Sequence, residues 1–282
     1  MRVMAVTRDT LPRPFLKWAG GKTQLLPELL PRVAAARPFG RYHEPFAGGA
    51  ALFFALVRTG WLDGPATLSD SNARLVEVYA AVRDEAAAVI EHLRKHATRH
   101  SEAHYYAVRA RVPRTLAARA ARLIYLNRTC FNGLYRENRR GEFNVPMGRY
   151  KNPRICDAEA LMAASVALQK AEVACRPFEA VLDHAQPGDF VYFDPPYAPL
   201  SATSSFTAYS DQSFGAAEHD RLAEVVDALA ARGVKVLLSN SDTPANRARY
   251  AAHTVATLAA RRAVNSRADR RGPVQELLVS AG

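Results

Sequence analysis

The stretch Asp189-Phe190-Val191-Tyr192-Phe193-Asp194-Pro195-Pro196-Tyr197 constrains this chain most. Four consecutive apolar residues read as a short buried strand. The strand stops on a carboxylate. The two prolines behind it cannot continue a central strand, because proline has no N–H for the ladder. Asp194 therefore falls at a carboxyl edge of a sheet, where open α/β folds bind their ligands. It offers acceptor oxygens, Pro195 adds a carbonyl, and Tyr197 adds a flat ring. Two acceptors beside a stacking face suit an aromatic amine, such as the exocyclic NH2 of a nucleobase. Gripping both of its hydrogens draws the nitrogen towards a tetrahedral, nucleophilic form. A strand that merely ends in a Pro-Pro turn is the plain alternative, and the rest of the chain decides between them.

At 282 residues the chain is long enough for one large domain or a domain carrying an insertion. Its formal charge of +11, carried mainly by arginine, favours a polyanionic partner such as nucleic acid over a merely basic surface. Cys130, Cys156 and Cys175 are an odd number without close spacing, which argues against a disulfide framework or a zinc site and fits a reducing cytoplasm. No apolar run has the length of a secretion signal or a membrane span, so no membrane partner is expected.

Near the start, Gly21-Lys22-Thr23 looks like the end of a phosphate-binding loop. The glycine that loop needs five places earlier is Leu16, and Pro12 and Pro14 argue against a preceding strand. A helix is expected from Thr23 to about Ala36. Tyr42 to Phe54 reads as strand, small-residue turn and helix, and Ala66 to Ser69 as a second strand ending on Asp70. A glycine turn followed about 20 residues later by an acid is placed for a ribose. The dinucleotide fingerprint Gly-x-Gly-x-x-Gly is absent, so the pattern points to S-adenosylmethionine rather than NAD.

Residues 72 to 128 are expected to be helical, with Pro113 as a break. His92, His96, His100 and His104 recur every four residues among arginines and lysines, which reads as a solvated basic face rather than a metal site. Arg139-Arg140-Gly141 marks a hairpin tip. Between Arg128 and Arg154 seven basic residues face two acidic ones, interleaved with Phe131, Tyr135, Phe143 and Tyr150. Arginines and aromatics on a ribbon suit groove reading and insertion into a base stack. A helix near Asp157 to Lys170 follows. Beyond the Asp194 edge come a long loop from Ala198 to Phe214, a helix from Ala216 to Ala231, and a strand from Val234 to Leu238 with Ser239-Asn240-Ser241-Asp242 at its edge. Two late strands, near Thr254 to Ala259 and Val274 to Ser280, flank an arginine-rich loop.

With these motifs in hand, the chain resembles the Dam-type, GATC-specific DNA adenine methyltransferases over nearly its whole length. The resemblance rests on Lys17-Trp18-Ala19-Gly20-Gly21-Lys22, on Leu126-Asn127-Arg128 through Asn132-Gly133-Leu134 and Arg136 to Gly148-Arg149-Tyr150-Lys151, and on Asp194-Pro195-Pro196-Tyr197 running on to Tyr209. It implies an α/β fold: a Rossmann-like S-adenosylmethionine-dependent methyltransferase sheet of seven strands, with an inserted helical and β-hairpin DNA-binding domain. Residues 1–72 and 157–282 would form the catalytic domain and 73–156 the target-recognition insertion. By the same resemblance, Trp18, Lys22, Phe46, Gly48, Asp70 and Asp194 surround the cofactor, and Asp194, Pro195, Pro196 and Tyr197 hold a flipped adenine. Arg136 reads a guanine, Leu134 and Pro146 pack on neighbouring bases, and Lys17 contacts a base. Asn132 lies in the same DNA-binding motif, Arg149 touches phosphate, and Tyr150 enters the stack. No metal is expected, because a sulfonium is already a strong electrophile. The family's turn commonly reads Phe-x-Gly-x-Gly, and Ala50 takes the last glycine place, which implies a negative φ there. The expected enzyme is a cytoplasmic monomer, bacterial or phage-encoded, acting on double-stranded DNA; a restriction partner is left open. The rivals are an amino-methyltransferase for another DNA site or for cytosine N4, and a non-catalytic DNA-binding protein.

Overall fold

The strand expected before the double proline forms as β4 (Phe190–Phe193), buried along its whole length. The structure is a computed structural model that describes residues 11–197, 214–261 and 273–282. The loop carrying Phe206 and Tyr209, and Arg262, Arg267, Arg270 and Arg271, lie outside the described residues. The chain divides into two units. One takes Met1–Gly21, Gly48–Trp61 and Asn72–Val173, and the other takes Lys22–Ala47, Leu62–Ser71 and Ala174–Gly282.

The second unit is built on a seven-stranded sheet, apart from Ala171–Val173 of one edge strand, which fall in the first unit. Its strands are β1 (Tyr42–Glu44), β2 (Ala66–Asp70), β3 (Ala171–Cys175), β4, β5 (Lys235–Ser241), β6 (Thr254–Arg261) and β7 (Pro273–Ala281). The order is β3-β2-β1-β4-β5-β7-β6. β1 pairs in parallel with β2 on one side and with β4 on the other, and β4 pairs in parallel with β5. β7 runs antiparallel between β5 and β6. Strand order thus reverses between β1 and β4, which makes their carboxyl ends the switch point of the sheet. Val191 and Phe193 face Leu222, Val226 and Leu229 of α7 (Ala216–Ala231) in an apolar core that also takes Val236, Leu238, Leu277 and Val279. At the other end of β4, Asp189 accepts from Arg41 N at 2.7 Å and Gln186 N at 2.9 Å, and pairs with His43 Nε2 at 3.1 Å. That buried carboxylate fixes the register of β4 against β1.

β5 extends past the expected stop at Leu238. Ser239, Asn240 and Ser241 lie inside the strand, buried, opposite Leu278, Leu277 and Glu276 of β7. Polar residues persist in this central strand because their side chains find partners there. The sequence reading also passed over β3 and the short α8 (Pro244–Arg249), although Thr243 followed by Pro244 is a helix-start signal, and Thr243 Oγ1 does accept from Asn246 N at 3.2 Å. The expected helix at 23 starts instead as a 3-10 turn over Lys22–Leu25 and becomes α1 (Leu26–Ala36).

The first unit is helical. It contains α2 (Ala51–Thr59), α3 (Ala73–Thr98), α4 (Glu102–Ala110), α5 (Leu116–Thr129) and α6 (Ala158–Leu168). Side-chain caps start four of them: Asn72 accepts from Arg74 N and Leu75 N, Ser101 from His104 N, Thr115 from Ala118 N, and Asp157 from Ala160 N. α3 packs against both α5 and α6, with Leu75, Tyr79, Val82, Val89 and Leu93 buried, as the helical period predicted.

Two expectations are corrected here. The histidines do not line a solvated face. His96, His100 and His104 are half-buried around Tyr125: His96 Nδ1 lies 3.0 Å from His104 Nε2, and His100 Nδ1 lies 2.9 Å from the Tyr125 hydroxyl. Burial first, then His104, His92 and Arg99, lowers the His96 pKa to about 4, so this packing is built from a neutral ring. Ala50 does not have negative φ. It sits at φ 49, ψ 41, in the left-handed region, as N-cap of α2, and is buried. An L-residue there is strained by about 1–2 kcal/mol, partly offset by the smaller entropy that alanine loses on folding. Ala50→Gly should therefore raise stability by up to about 1 kcal/mol in urea unfolding. A lowered midpoint would show that the turn needs the buried methyl more than it needs relief.

Candidate active site

β1 and β4 end side by side in the second unit, and each ends on an acid. Glu44 is buried and accepts from the Tyr42 hydroxyl at 2.8 Å. Asp194 follows β4 directly. Its Oδ1 meets Lys22 Nζ at 2.6 Å and accepts from Ser239 Oγ at 3.1 Å. Lys22 is itself buried, and its ammonium also lies 4.5 Å from the centre of the Tyr197 ring. The lysine of the abortive phosphate-loop motif is therefore the counter-ion of the carboxylate. Burial pushes the Asp194 carboxyl above its ordinary range, against the opposing pull of Lys22 and Ser239. Among the described residues, Asp194 Oδ2 accepts nothing. Pro195 is buried, Pro196 is exposed and Tyr197 is half-buried.

Lys22, Phe46, Asp70 and Asp194 all belong to this unit, while Trp18 and Gly48 belong to the other. Phe46 stacks on Phe178 with ring centres 5.3 Å apart and meets Phe193 and Phe214 edge-on. Asp70 closes β2, half-buried, with its carbonyl accepting from Arg176 N at 3.2 Å.

In the first unit, the segment carrying Lys17 and Trp18 is stitched to α5 and the ribbon that follows. Asn127, fully buried, accepts from Lys17 N at 2.7 Å and donates to Lys17 O at 2.7 Å and Gly133 O at 2.9 Å. Arg128 donates to Phe15 O at 2.7 Å. The sequence reading counted Arg128 among the ribbon's basic residues; the structure spends it on this internal contact, where burial lowers its pKa. Gly133 has φ +65, and a Cβ there would lie 2.7 Å from Lys17 Cβ, so only glycine fits. Lys17 Nζ stands 4.2 Å from the Tyr150 ring centre, and the Trp18 and Tyr135 rings lie 5.3 Å apart. Burial lowers the Lys17 pKa, with Arg128 adding to the effect. The Tyr135 hydroxyl meets Glu137, which pairs with Arg74 at 2.7 Å.

The expected hairpin is present as a short ribbon. Asn138 N bonds Glu142 O at 2.9 Å, Asn144 N bonds Arg136 O at 3.0 Å, and Glu137 faces Phe143. A second bridge joins Cys130 to Met147. Beneath it, the Tyr105 hydroxyl and Arg109 Nη1 both donate to Val145 O. Arg136 is exposed, with Nε donating to Asn144 Oδ1 at 2.6 Å. Asn132, Pro146 and Arg149 are exposed as well, and Leu134 and Tyr150 are half-buried. Asn127 and Ser239 stand in motifs quoted from the sequence without a role being given to either, and Tyr105 was not singled out. Their signal was a polar residue at a position the apolar period assigns to the core.

A carboxylate at a switch point, held by an ammonium beside an aromatic ring, defines a class: an α/β enzyme that binds a hydrogen-bond donor at its sheet edge. The chain matches the D12 class N6 adenine-specific DNA methyltransferases over residues 18–264, and it belongs to that family. It is 38% identical over 276 residues to a type II methyltransferase of Lactococcus lactis subsp. cremoris, with 95% of each chain covered. It is 38% identical over 291 residues to a type II methyltransferase of Methanocaldococcus jannaschii, covering 95% of this chain and 98% of that one. It is 38% identical over 272 residues to the DNA adenine methylase of Escherichia coli, with 94% of each covered. The protein is an adenine-specific DNA methyltransferase, and methyltransferases of this family use S-adenosylmethionine. Among the described residues no cluster of His, Cys, Asp or Glu is placed to hold a metal ion, and no helix is long and apolar enough to cross a membrane.

The second unit's residues fit that cofactor. Asp70 puts an acceptor at the end of β2, Glu44 adds a buried carboxylate at the end of the neighbouring β1, and Phe46 presents a ring just after it. These are the acceptors that ligand hydroxyls and an amine donate to, and the stacking face that an adenine ring requires.

Proposed function

We propose that the enzyme methylates N6 of adenine in duplex GATC after flipping the base out of the stack. The observation that carries the reading is the split of Asp194: Oδ1 is taken by Lys22 and Ser239, and Oδ2 is left for an amine hydrogen. Pro195 O accepts the second hydrogen, and the Tyr197 ring stacks on the base. The cofactor supplies a methyl group on an electrophilic sulfur. The base has to leave the helix for its amine to reach a pocket at a sheet edge. Phe46 and Asp70 hold the cofactor, with Lys22 beside it through Asp194; Trp18 and Gly48 are assigned to it by the resemblance alone. On the DNA side, Arg136 reads guanine, Leu134 and Pro146 pack on bases, Lys17 touches a base, Asn132 belongs to the same DNA-binding motif, Arg149 holds phosphate and Tyr150 enters the stack. Residues 73–156 form the target-recognition insertion. The enzyme works on DNA in the cytoplasm, as a monomer. Transfer to cytosine N4 is set aside by the family match. The type II relatives favour a second reading, a different adenine site.

Base flipping is tested by placing 2-aminopurine at the GATC adenine. Binding should raise its fluorescence several-fold, and an unchanged signal with saturating enzyme would contradict flipping. Asp70→Ala should weaken S-adenosylmethionine binding by about 1–3 kcal/mol, the cost of an unmet polar partner. Unchanged affinity in calorimetry would remove Asp70 from the ribose site.

A further inference from the structure

Asp194 is the last member of a buried hydrogen-bonded chain. The Tyr192 hydroxyl lies 3.0 Å from Ser239 Oγ, and Ser239 Oγ lies 3.1 Å from Asp194 Oδ1. Tyr192 is in β4, with its ring buried, and Ser239 is fully buried in the neighbouring β5. An ionised carboxylate only accepts, so Ser239 donates to Asp194. Its single proton is then used, and Tyr192 has to donate to Ser239. The chain is therefore directed, from Tyr192 through Ser239 to the carboxylate.

We propose that Tyr192 and Ser239 are positioning residues for methyl transfer: their relay holds Oδ1 of Asp194 in place and keeps the carboxyl ionised, so that Oδ2 faces the substrate amine as an acceptor. The inference rests on the reading that Asp194 grips the amine. Lys22 alone does not accomplish this. An ammonium on a flexible stem has three rotatable donors and fixes no direction, whereas Ser239 and Tyr192 are anchored in two paired strands. Burial disfavours the charged carboxyl, and the serine donor opposes that effect together with Lys22. Tyr250 provides a control of the same kind: its hydroxyl is buried in the apolar core of this unit with no partner among the described residues.

The experiment compares Ser239→Ala, Tyr192→Phe, the double variant, Tyr250→Phe and Asp194→Ala in the full chain. Single-turnover rates are followed from pH 5.5 to 9, with KM for the duplex and Tm. A hydrogen bond to a charged group predicts about a 10–100-fold fall in rate for Ser239→Ala at neutral pH, with KM changed less than about threefold. Removing the donor raises the Asp194 pKa, so the acid limb of the profile moves to higher pH and part of the rate returns there. Tyr192→Phe should shift the limb in the same direction by less. The double variant should match Ser239→Ala, because Tyr192 acts through the serine. Tyr250→Phe should leave rate and limb unchanged. A Ser239→Ala enzyme with a lower Tm but a wild-type rate and unmoved limb, beside an inactive Asp194→Ala, would overturn the relay. An active Asp194→Ala would instead overturn the amine-gripping role and the relay with it.

Discussion

Asp194→Ala is expected to abolish methyl transfer, by at least about 10³-fold in a single-turnover assay, because the acceptor proposed to orient the amine is gone. The structure adds a second consequence. Lys22 is 5% exposed and Asp194 19%, so the alanine strands a buried ammonium. Breaking a buried pair on one side costs about 3–5 kcal/mol; Asp194 is partly solvated, so a loss of about 2–3 kcal/mol is expected. The two effects separate in the double variant Asp194→Ala with Lys22→Met. It should recover most of the stability and none of the activity. Recovery of both would mean that Asp194 serves only to neutralise Lys22. Binding to GATC duplex should survive in either variant, since the ribbon proposed to read DNA is untouched.

The second large effect separates reading from holding. Arg136 is exposed on the ribbon, and Asn144 fixes its Nε. An arginine fork matches O6 and N7 of guanine. Arg136→Ala should cost about 1–3 kcal/mol on GATC and much less on a site altered at that guanine. Arg149→Ala should weaken both duplexes by similar factors and reduce the salt slope of binding by about one. Titrations of both variants on GATC and single-substituted duplexes at several salt concentrations decide it. Equal losses everywhere for Arg136→Ala would make the ribbon an electrostatic grip without sequence reading.

How far the sequence led depends on how local each cause was. β4 was legible because four apolar residues stop at two prolines, and proline's missing N–H is a local fact. α3 was legible because its apolar period runs from Leu75 to Leu93, about five turns, and holds across the kink at Glu85 (φ -128, ψ 30). β5 was cut short because Ser239, Asn240 and Ser241 are polar; they stay in the sheet through partners on other elements, Asp194 for Ser239 and the 3.4 Å neighbour His219 for Asn240. The histidines at every fourth position were misread for the same reason, since Tyr125 packs against them from a different helix. Ala50 shows a limit of another kind: propensity argues against a left-handed alanine, and the turn imposes it regardless. The Lys22–Asp194 pair joins residues 172 positions apart, which no local pattern encodes.

The central claim is transfer to N6 of adenine within GATC. Its most direct measurement uses methyl-labelled S-adenosylmethionine with a GATC duplex and a duplex of the same composition with that site scrambled, followed by nucleoside analysis. Label in N6-methyladenine, confined to the GATC duplex, is the predicted result. Equal label in the scrambled duplex, label on cytosine, or none at all with folded enzyme would contradict it.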